Sequence, residues 1–350
     1  MSGIKNGLTP NNAEVVTARA RFAGAIWTLV VLAPFIAEVL SGSTRTSILF
    51  VLIPEMMVWG VGALLCRELV RRWRGGSVSL LLMGLALSVA EEFIIQQTSI
   101  APLPFPMSHA EYGRMWGVNL IYLLFMLGFE SVWVVVAPVQ LTELFFPGAG
   151  DRPWLRKRGV LVSCVVFLLG CRIAWYGWTQ QARPRMGGAP YHPPAGLLAL
   201  GVAAIVALMA AAYLAREAGR QHGGIERGTA PAWLAGLAAF VLGAAWFEVI
   251  GQVFVAKPVQ PFWIVLIAGA AWAALAFSLF TWWSSRAAWN ELHRFAAVSG
   301  VTLGCMVAPY LSITSWPKVD VVGLIVYDVV ALAGFFILGT KVLRRARQAG

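Results

Sequence analysis

A carboxylate inside a stretch of chain long enough to cross a bilayer restricts folding more than any other single feature. Residues 77–99, SVSLLLMGLALSVAEEFIIQQTS, carry two in succession, Glu91 and Glu92. One charged group at the centre of a spanning helix costs about 3 kcal/mol on insertion scales, so it needs a partner, a proton or a task. At about 100° per residue Ser88, Glu92, Gln96 and Ser99 fall on one stripe of a helix, while Glu91 points elsewhere. Lipid would not tolerate that stripe and a bundle interior would. The stretch therefore predicts a helix that turns a polar face toward other helices.

The rest of the chain has the same character. Charged residues make up 12% and hydrophobic residues 59% of 350, against roughly 25% charged in a soluble domain, and the mean hydropathy is +0.73. Breaks at charged, proline and glycine residues divide the chain into spans at about 22–41, 47–66, 77–98, 117–146, 159–178, 195–215, 232–253, 261–283, 295–314 and 319–340. Pro138 marks a kink in the long fourth span or its exit from the membrane. The expected fold is an all-α polytopic transmembrane helix bundle of about ten spanning helices. A cytoplasmic segment 1–21 precedes a single transmembrane domain 22–340, and a basic cytoplasmic tail 341–350 follows it.

The formal charge of +11 does not imply a nucleic-acid surface, because the bases lie in short runs between spans. Assigning alternate loops to opposite sides puts 20 of the 27 basic residues on one side. By the positive-inside rule both termini are cytoplasmic and the protein is integral to a bacterial-type inner membrane. The span from Phe22 is longer than a signal-peptide core and reads as a retained first helix. Loops 99–116 and 179–194, rich in proline, glycine and aromatics, read as ordered caps over the bundle. Tryptophans near span ends, among them Trp73, Trp154 and Trp263, form an interfacial belt. The Ala/Gly-rich sixth to eighth spans predict a tightly packed scaffold. No internal repeat is visible. Cys66, Cys164, Cys171 and Cys305 all fall in apolar spans and imply neither a disulfide framework nor a zinc knuckle.

On this topology Glu38, Glu55, Glu91, Glu92, Glu130, Glu248 and Asp328 share one depth range in the outer half or middle of the membrane. Within it stands one strong base, Arg172, one turn below Tyr176, the simplest counter-ion for one of the acids. Glu130 shares a face with Asn119, and Glu248 has Gln252 four residues on. Seven unpaired ionised acids would cost roughly 20 kcal/mol, more than the 5–15 kcal/mol by which domains are typically stable. Most must be protonated, paired or cation-bound. His109, His192, His222 and His293 lie in loops or at span ends, which leaves no ligands for a haem or an intramembrane histidine metal site. No buried lysine suits a retinal Schiff base, and no nucleotide fingerprint, phosphate loop or HExxH occurs.

The string Glu91-Glu92-Phe93-Ile94-Ile95-Gln96 resembles the EExxxR motif of the CPBP (CAAX-processing and bacteriocin-processing) intramembrane proteases. Gln96 stands where that family has an arginine. In the next helix, Phe125-Met126-Leu127-Gly128-Phe129-Glu130, an acid follows the place of the family's histidine. The resemblance implies a general base at Glu91 or Glu92 acting on water, with a metal as the family's cofactor, and a buried polar site at Glu91, Glu92 and Glu130. VGALLCREL (61–69), YGRMWGVN (112–119) and LTELFFP (141–147) also look like a bacterial family of uncharacterised multi-pass membrane proteins, which implies no activity.

Three functional classes follow. The first is a transporter-like or ligand-binding bundle whose acids, chiefly Glu92 and Glu130 with Ser88, Gln96, Asn119, Glu248, Asp328 and Arg172, bind a proton, a cation or a small solute. The second is a CPBP-like membrane hydrolase. The third is a structural or accessory subunit whose acids only pair helices.

Overall fold

The computed structural model describes residues 12–102, 112–150, 152–189, 191–216, 228–247 and 260–349, with side chains from Phe22 to Gln348. Among the described residues nine helical segments are long and apolar enough to cross a bilayer. They are Phe22–Val39, Thr46–Arg72, Ser77–Ile95, Leu120–Phe145, Lys157–Arg185, Ala195–Leu214, Phe262–Ser284, Glu291–Leu311 and Lys318–Gln348. The chain is an all-α, multi-pass membrane protein. The remaining expected span, 232–253, is described only to residue 247. There it forms a helix over Ala232–Ala245, 14 residues, short of the roughly 20 that a crossing needs.

The first four spans are not continuous α-helices. α1 (Asn12–Pro34) runs into a π-helical turn, Phe35–Val39. The second span starts as a 3₁₀ segment, Thr46–Val51, continues through α2 (Leu52–Glu55), widens into a π turn at Met56–Gly60 and ends as α3 (Val61–Arg72). α4 (Ser77–Ala90) ends in the π turn Glu91–Ile95. α5 (Leu120–Phe129) and α6 (Ala137–Phe145) are joined through the π turn Glu130–Val136. The ring of such a turn closes five residues on, as where the Leu40 and Gln96 amides donate to the Phe35 and Glu91 carbonyls, both at 2.9 Å. Pro138, in the first turn of α6, has no amide to offer the carbonyls of the turn before it. The loosened bonding of Glu130–Val136 fits that missing donor, and the span goes on as α6.

These segments make the core. α1 packs on the Met56–Gly60 turn, α3 and α6, while α4 packs on the Glu130–Val136 turn and on α9 (Ala195–Leu214). A Cβ on Gly60 would stand 2.1 Å from the Val30 carbonyl oxygen, so α1 and the second span meet backbone to backbone. α7 (Lys157–Trp175) lies against α3, and the fifth span continues through a π turn, Tyr176–Ala182, into α8 (Arg183–Arg185). α10 (Ala232–Ala245) packs along α12 (Glu291–Val307), which also touches α6 and α13 (Lys318–Ala349). At that crossing a Cβ on Gly300 would lie 2.1 Å from the Gly236 carbonyl oxygen.

Of the sixth to eighth spans expected to form a small-residue scaffold, the seventh packs closely as α10, but against α12 of the ninth span. That close packing does not extend to α11 (Phe262–Ser284), which packs on α5 and leaves Ile264, Ile267, Leu275 and Phe277 exposed. Leu161, Val165 and Leu169 of α7 and Val322, Val329 and Phe336 of α13 are exposed too. Apolar surface on this scale suits hydrocarbon and would be a liability in water. The expected caps are partly described. Residues 103–111 lie outside the described residues, and a small hairpin, β1 (Arg114–Met115) paired antiparallel with β2 (Val118–Asn119), leads into α5.

Candidate functional site

Five acids of the first four spans sit on or against a π turn. Glu38 lies inside Phe35–Val39, Glu55 directly precedes Met56–Gly60, Glu91 and Glu92 open Glu91–Ile95, and Glu130 opens Glu130–Val136. A π turn widens the helix wall and interrupts the regular ladder, and such turns recur at functional positions. Glu55, Glu91, Glu92 and Glu130 are 4, 2, 0 and 1% exposed, and Glu38 is half-buried.

The acids form one electrostatic group. Glu38 interacts with Glu55 and Glu91, Glu91 with Glu92, and Glu130 with Glu91, Glu92 and Glu38. Tyr122 of α5 lies within reach of Glu92, Glu130 and Glu38. Their hydrogen bonding is incomplete. Glu92 Oε2 accepts from the Thr98 hydroxyl at 2.7 Å and the Ser99 hydroxyl at 2.5 Å, and Glu55 Oε1 accepts from the Thr44 hydroxyl. Among the described residues six buried oxygens of these acids have no hydrogen-bond partner: Glu55 Oε2, both of Glu91, Glu92 Oε1 and both of Glu130. Ser88 reaches Glu130, but its hydroxyl proton goes to the Met126 carbonyl at 3.1 Å. Buried carboxylates with so few donors, and no base beside them among the described residues, hold their charge only in company of protons, cations or water.

The turn that brings Thr98 and Ser99 to Glu92 corrects the helical-stripe reading. The helix stops at Ile95, Gln97 takes a φ of +61°, and Ser99 returns to Glu92 by chain reversal rather than along a helix face. The Asn119 amide donates to the Ser99 carbonyl at 2.8 Å, and the Arg114 guanidinium donates to the carbonyls of Ile100 at 3.1 Å and Ala101 at 2.8 Å. The hairpin thus pins the turn that carries Glu92's donors.

The other sequence-derived residues divide. Gln96 is half-buried at the bend, where its backbone amide donates to the Glu91 carbonyl at 2.9 Å. Asn119 is fully buried and caps α5, accepting from the Tyr122 amide at 3.0 Å; it positions the site and stands before the span instead of inside it. Among the described residues Arg172 pairs with no acid. It is exposed on α7 and lies over the Trp175 ring at 4.5 Å, because an arginine on an outward face can rest its guanidinium on aromatics near the interface. Asp328 keeps separate company on α13, accepting from the Tyr310 hydroxyl at 2.6 Å beside Cys305. Glu248 and its neighbour Gln252 lie outside the described residues, as do His109 and His222. His293 caps α12 with Asn290. Among the described residues no group of three or more His, Cys, Asp and Glu side chains is arranged to hold a metal ion.

A second polar centre, at the opposite end of the same spans, is absent from the sequence reading. Arg67, fully buried, donates to Glu143 Oε1 at 3.0 Å, to Glu68 Oε1 at 3.3 Å and to the Ala149 and Gly150 carbonyls at 3.0 and 2.8 Å, with its guanidinium 3.4 Å over the Trp154 ring. Glu143 also receives Arg71 and Arg294. The signal available was Glu143 itself, an acid in the last turn of a span whose neighbouring loops hold mainly bases.

Residues 28–183 match the model of an uncharacterized membrane protein family. The match covers both polar centres and the hairpin, and agrees with the resemblance to uncharacterised multi-pass proteins; the CPBP resemblance finds no counterpart. No curated protein and no solved structure matches the chain.

Proposed function

We propose that this protein is a transporter-like or ligand-binding bundle of the inner membrane in which Glu92 and Glu130, with Glu38, Glu55 and Glu91 around them, bind a proton or cation coupled to a small solute. The observation that supports it is the set of six buried carboxylate oxygens without a hydrogen-bond partner among the described residues. A purely structural role would call for bases opposite them, and the buried base of these spans, Arg67, is engaged with Glu143 and Glu68 instead. In this reading the π turns are the sites where the helix wall opens to the ion.

The test uses purified protein reconstituted in liposomes and a pH-sensitive dye, with and without sodium, potassium or magnesium gradients. The wild type is expected to move protons or one of these cations, and Glu92→Gln and Glu130→Gln to lose the flux while eluting as folded protein. Full activity in both variants would refute the proposal. A hydrolase using Glu91 or Glu92 as general base has less support, because it rests on the Glu91-Glu92 motif alone and the family model matched over residues 28–183 is of an uncharacterised family. Elemental analysis after dialysis separates the two: a transition metal near one per chain, lost in the same variants, would favour hydrolysis.

A further inference from the structure

A groove of about 370 Å³ opens on the lipid-facing side of the bundle between α3 and the start of α7. Leu65, Leu69, Val160 and Cys164 form its walls, and Glu68, Arg72 and Lys157 complete its lining. Arg72 ends α3 and Lys157 begins α7. Leu65 and Cys164 each lie seven residues deeper along the respective helix, about 10 Å. The groove therefore runs from a basic mouth to an apolar interior.

The charge at the mouth is net positive. Glu68 is already engaged: Oε1 accepts from the Trp154 amide at 2.6 Å and from Arg67, and Oε2 accepts from the Leu155 amide at 3.2 Å and lies 3.6 Å from Arg72. The Arg72 side chain donates to the Leu155 carbonyl at 2.7 Å and is still 36% exposed. Lys157 is exposed between exposed Arg156 and Arg158 and makes no ion pair among the described residues. Beside the end of α3, Trp73 and Tyr213 meet edge to face at 5.5 Å, an aromatic pair of the kind found at headgroup depth.

We propose that this groove binds an anionic phospholipid, with the phosphate between Arg72 and Lys157 and an acyl chain along Leu65, Leu69, Val160 and Cys164. Free phosphate would use the mouth and leave the apolar walls empty. A zwitterionic headgroup would bring its ammonium beside bases that repel it. Basic pockets between spanning helices on the cytoplasmic side select anionic headgroups for these reasons. The site is independent of the acidic centre and does not rest on a transport function.

The experiment is native mass spectrometry of the delipidated full-length protein given equal amounts of phosphatidylglycerol and phosphatidylcholine. The wild type is expected to retain phosphatidylglycerol in preference, by roughly tenfold or more. Arg72→Gln with Lys157→Gln should reduce it to the phosphatidylcholine level. Val160→Trp, which fills the groove and leaves both bases in place, should do the same, and it decides the matter if the double variant does not fold. Equal retention of the two lipids by the wild type would overturn the proposal. So would undiminished phosphatidylglycerol binding in Val160→Trp, and so would competition by inorganic phosphate as effective as that by the lipid.

Discussion

Replacing Glu143 by glutamine removes one negative charge and almost no volume, and the geometry around it sets the cost. That carboxylate receives Arg67 Nε at 3.0 Å, Arg71 Nη2 at 2.7 and 2.8 Å, Arg71 Nε at 3.0 Å and Arg294 at 3.4 Å. It is 5% exposed, and Arg67 is fully buried. A glutamine amide keeps one acceptor oxygen, so several donors lose a charged partner and Arg67 is left with Glu68 at 3.3 Å. Removing one member of a buried pair costs about 3–5 kcal/mol, a fall of roughly a hundredfold to a few thousandfold in the folded-to-unfolded ratio. Unfolding in mixed micelles with increasing dodecyl sulfate, followed by tryptophan fluorescence, measures it. Glu291→Gln is the control: its bond to Arg345 is 2.8 Å long, but the two side chains are 42 and 28% exposed, and such a pair contributes about 0–1 kcal/mol. A Glu143→Gln protein within about 1 kcal/mol of wild type, or no less stable than Glu291→Gln, would refute the reasoning.

Glu91→Gln should behave in the opposite way: both oxygens lack partners, so the variant is expected to unfold within about 1 kcal/mol of wild type in the same micelles while losing cation or proton flux. Ser99→Ala removes a 2.5 Å donor from Glu92 and should cost about 1–3 kcal/mol; in a Glu92→Leu background most of that cost should vanish, a double-mutant cycle read by the same unfolding curves. Gly300→Ala drives a methyl group into the Gly236 carbonyl and should destabilise by about 1–3 kcal/mol as α10 and α12 separate, seen as a lower thermal midpoint. Single cysteines placed after residue 341 should react with an impermeant thiol reagent only from the cytoplasmic side, and labelling from outside would overturn the assigned topology.

Hydropathy and the cost of buried charge made nine of the spans and the burial of Glu55, Glu91, Glu92 and Glu130 legible, because both are properties of single segments. Side-chain direction was less legible. A wheel drawn at 100° per residue presumes an unbroken α-helix, and each of the first four spans has a π turn that shifts every later residue around the axis. The contact between Ser99 and Glu92 depends on the reversal at Gln97, which no helical period encodes. Arg172 reads inward on hydropathy alone, as the counter-ion of an acid, because a lone buried guanidinium is prohibitive. Arg67, a base that is fully buried, sits in a run of arginines at a span end, where charge ordinarily means water. Its partner Glu143 lies 76 residues away, and nothing local ties the two together.

The last helix has a mechanical consequence. α13 is 32 residues long, about 48 Å, against a hydrocarbon thickness of about 30 Å. It therefore projects from the membrane as a rod continuous with its buried part. The rod is clamped at its base: Arg345 donates to the Glu291 carboxylate at 2.8 Å and to the Leu144 carbonyl at 3.0 Å, joining it to the ends of α12 and α6. Any rotation or tilt of the embedded portion is carried outward rigidly as long as that clamp holds. A spin label or small fluorescent probe near Ala346 would act as a pointer, reporting motion inside the bilayer from a position in water.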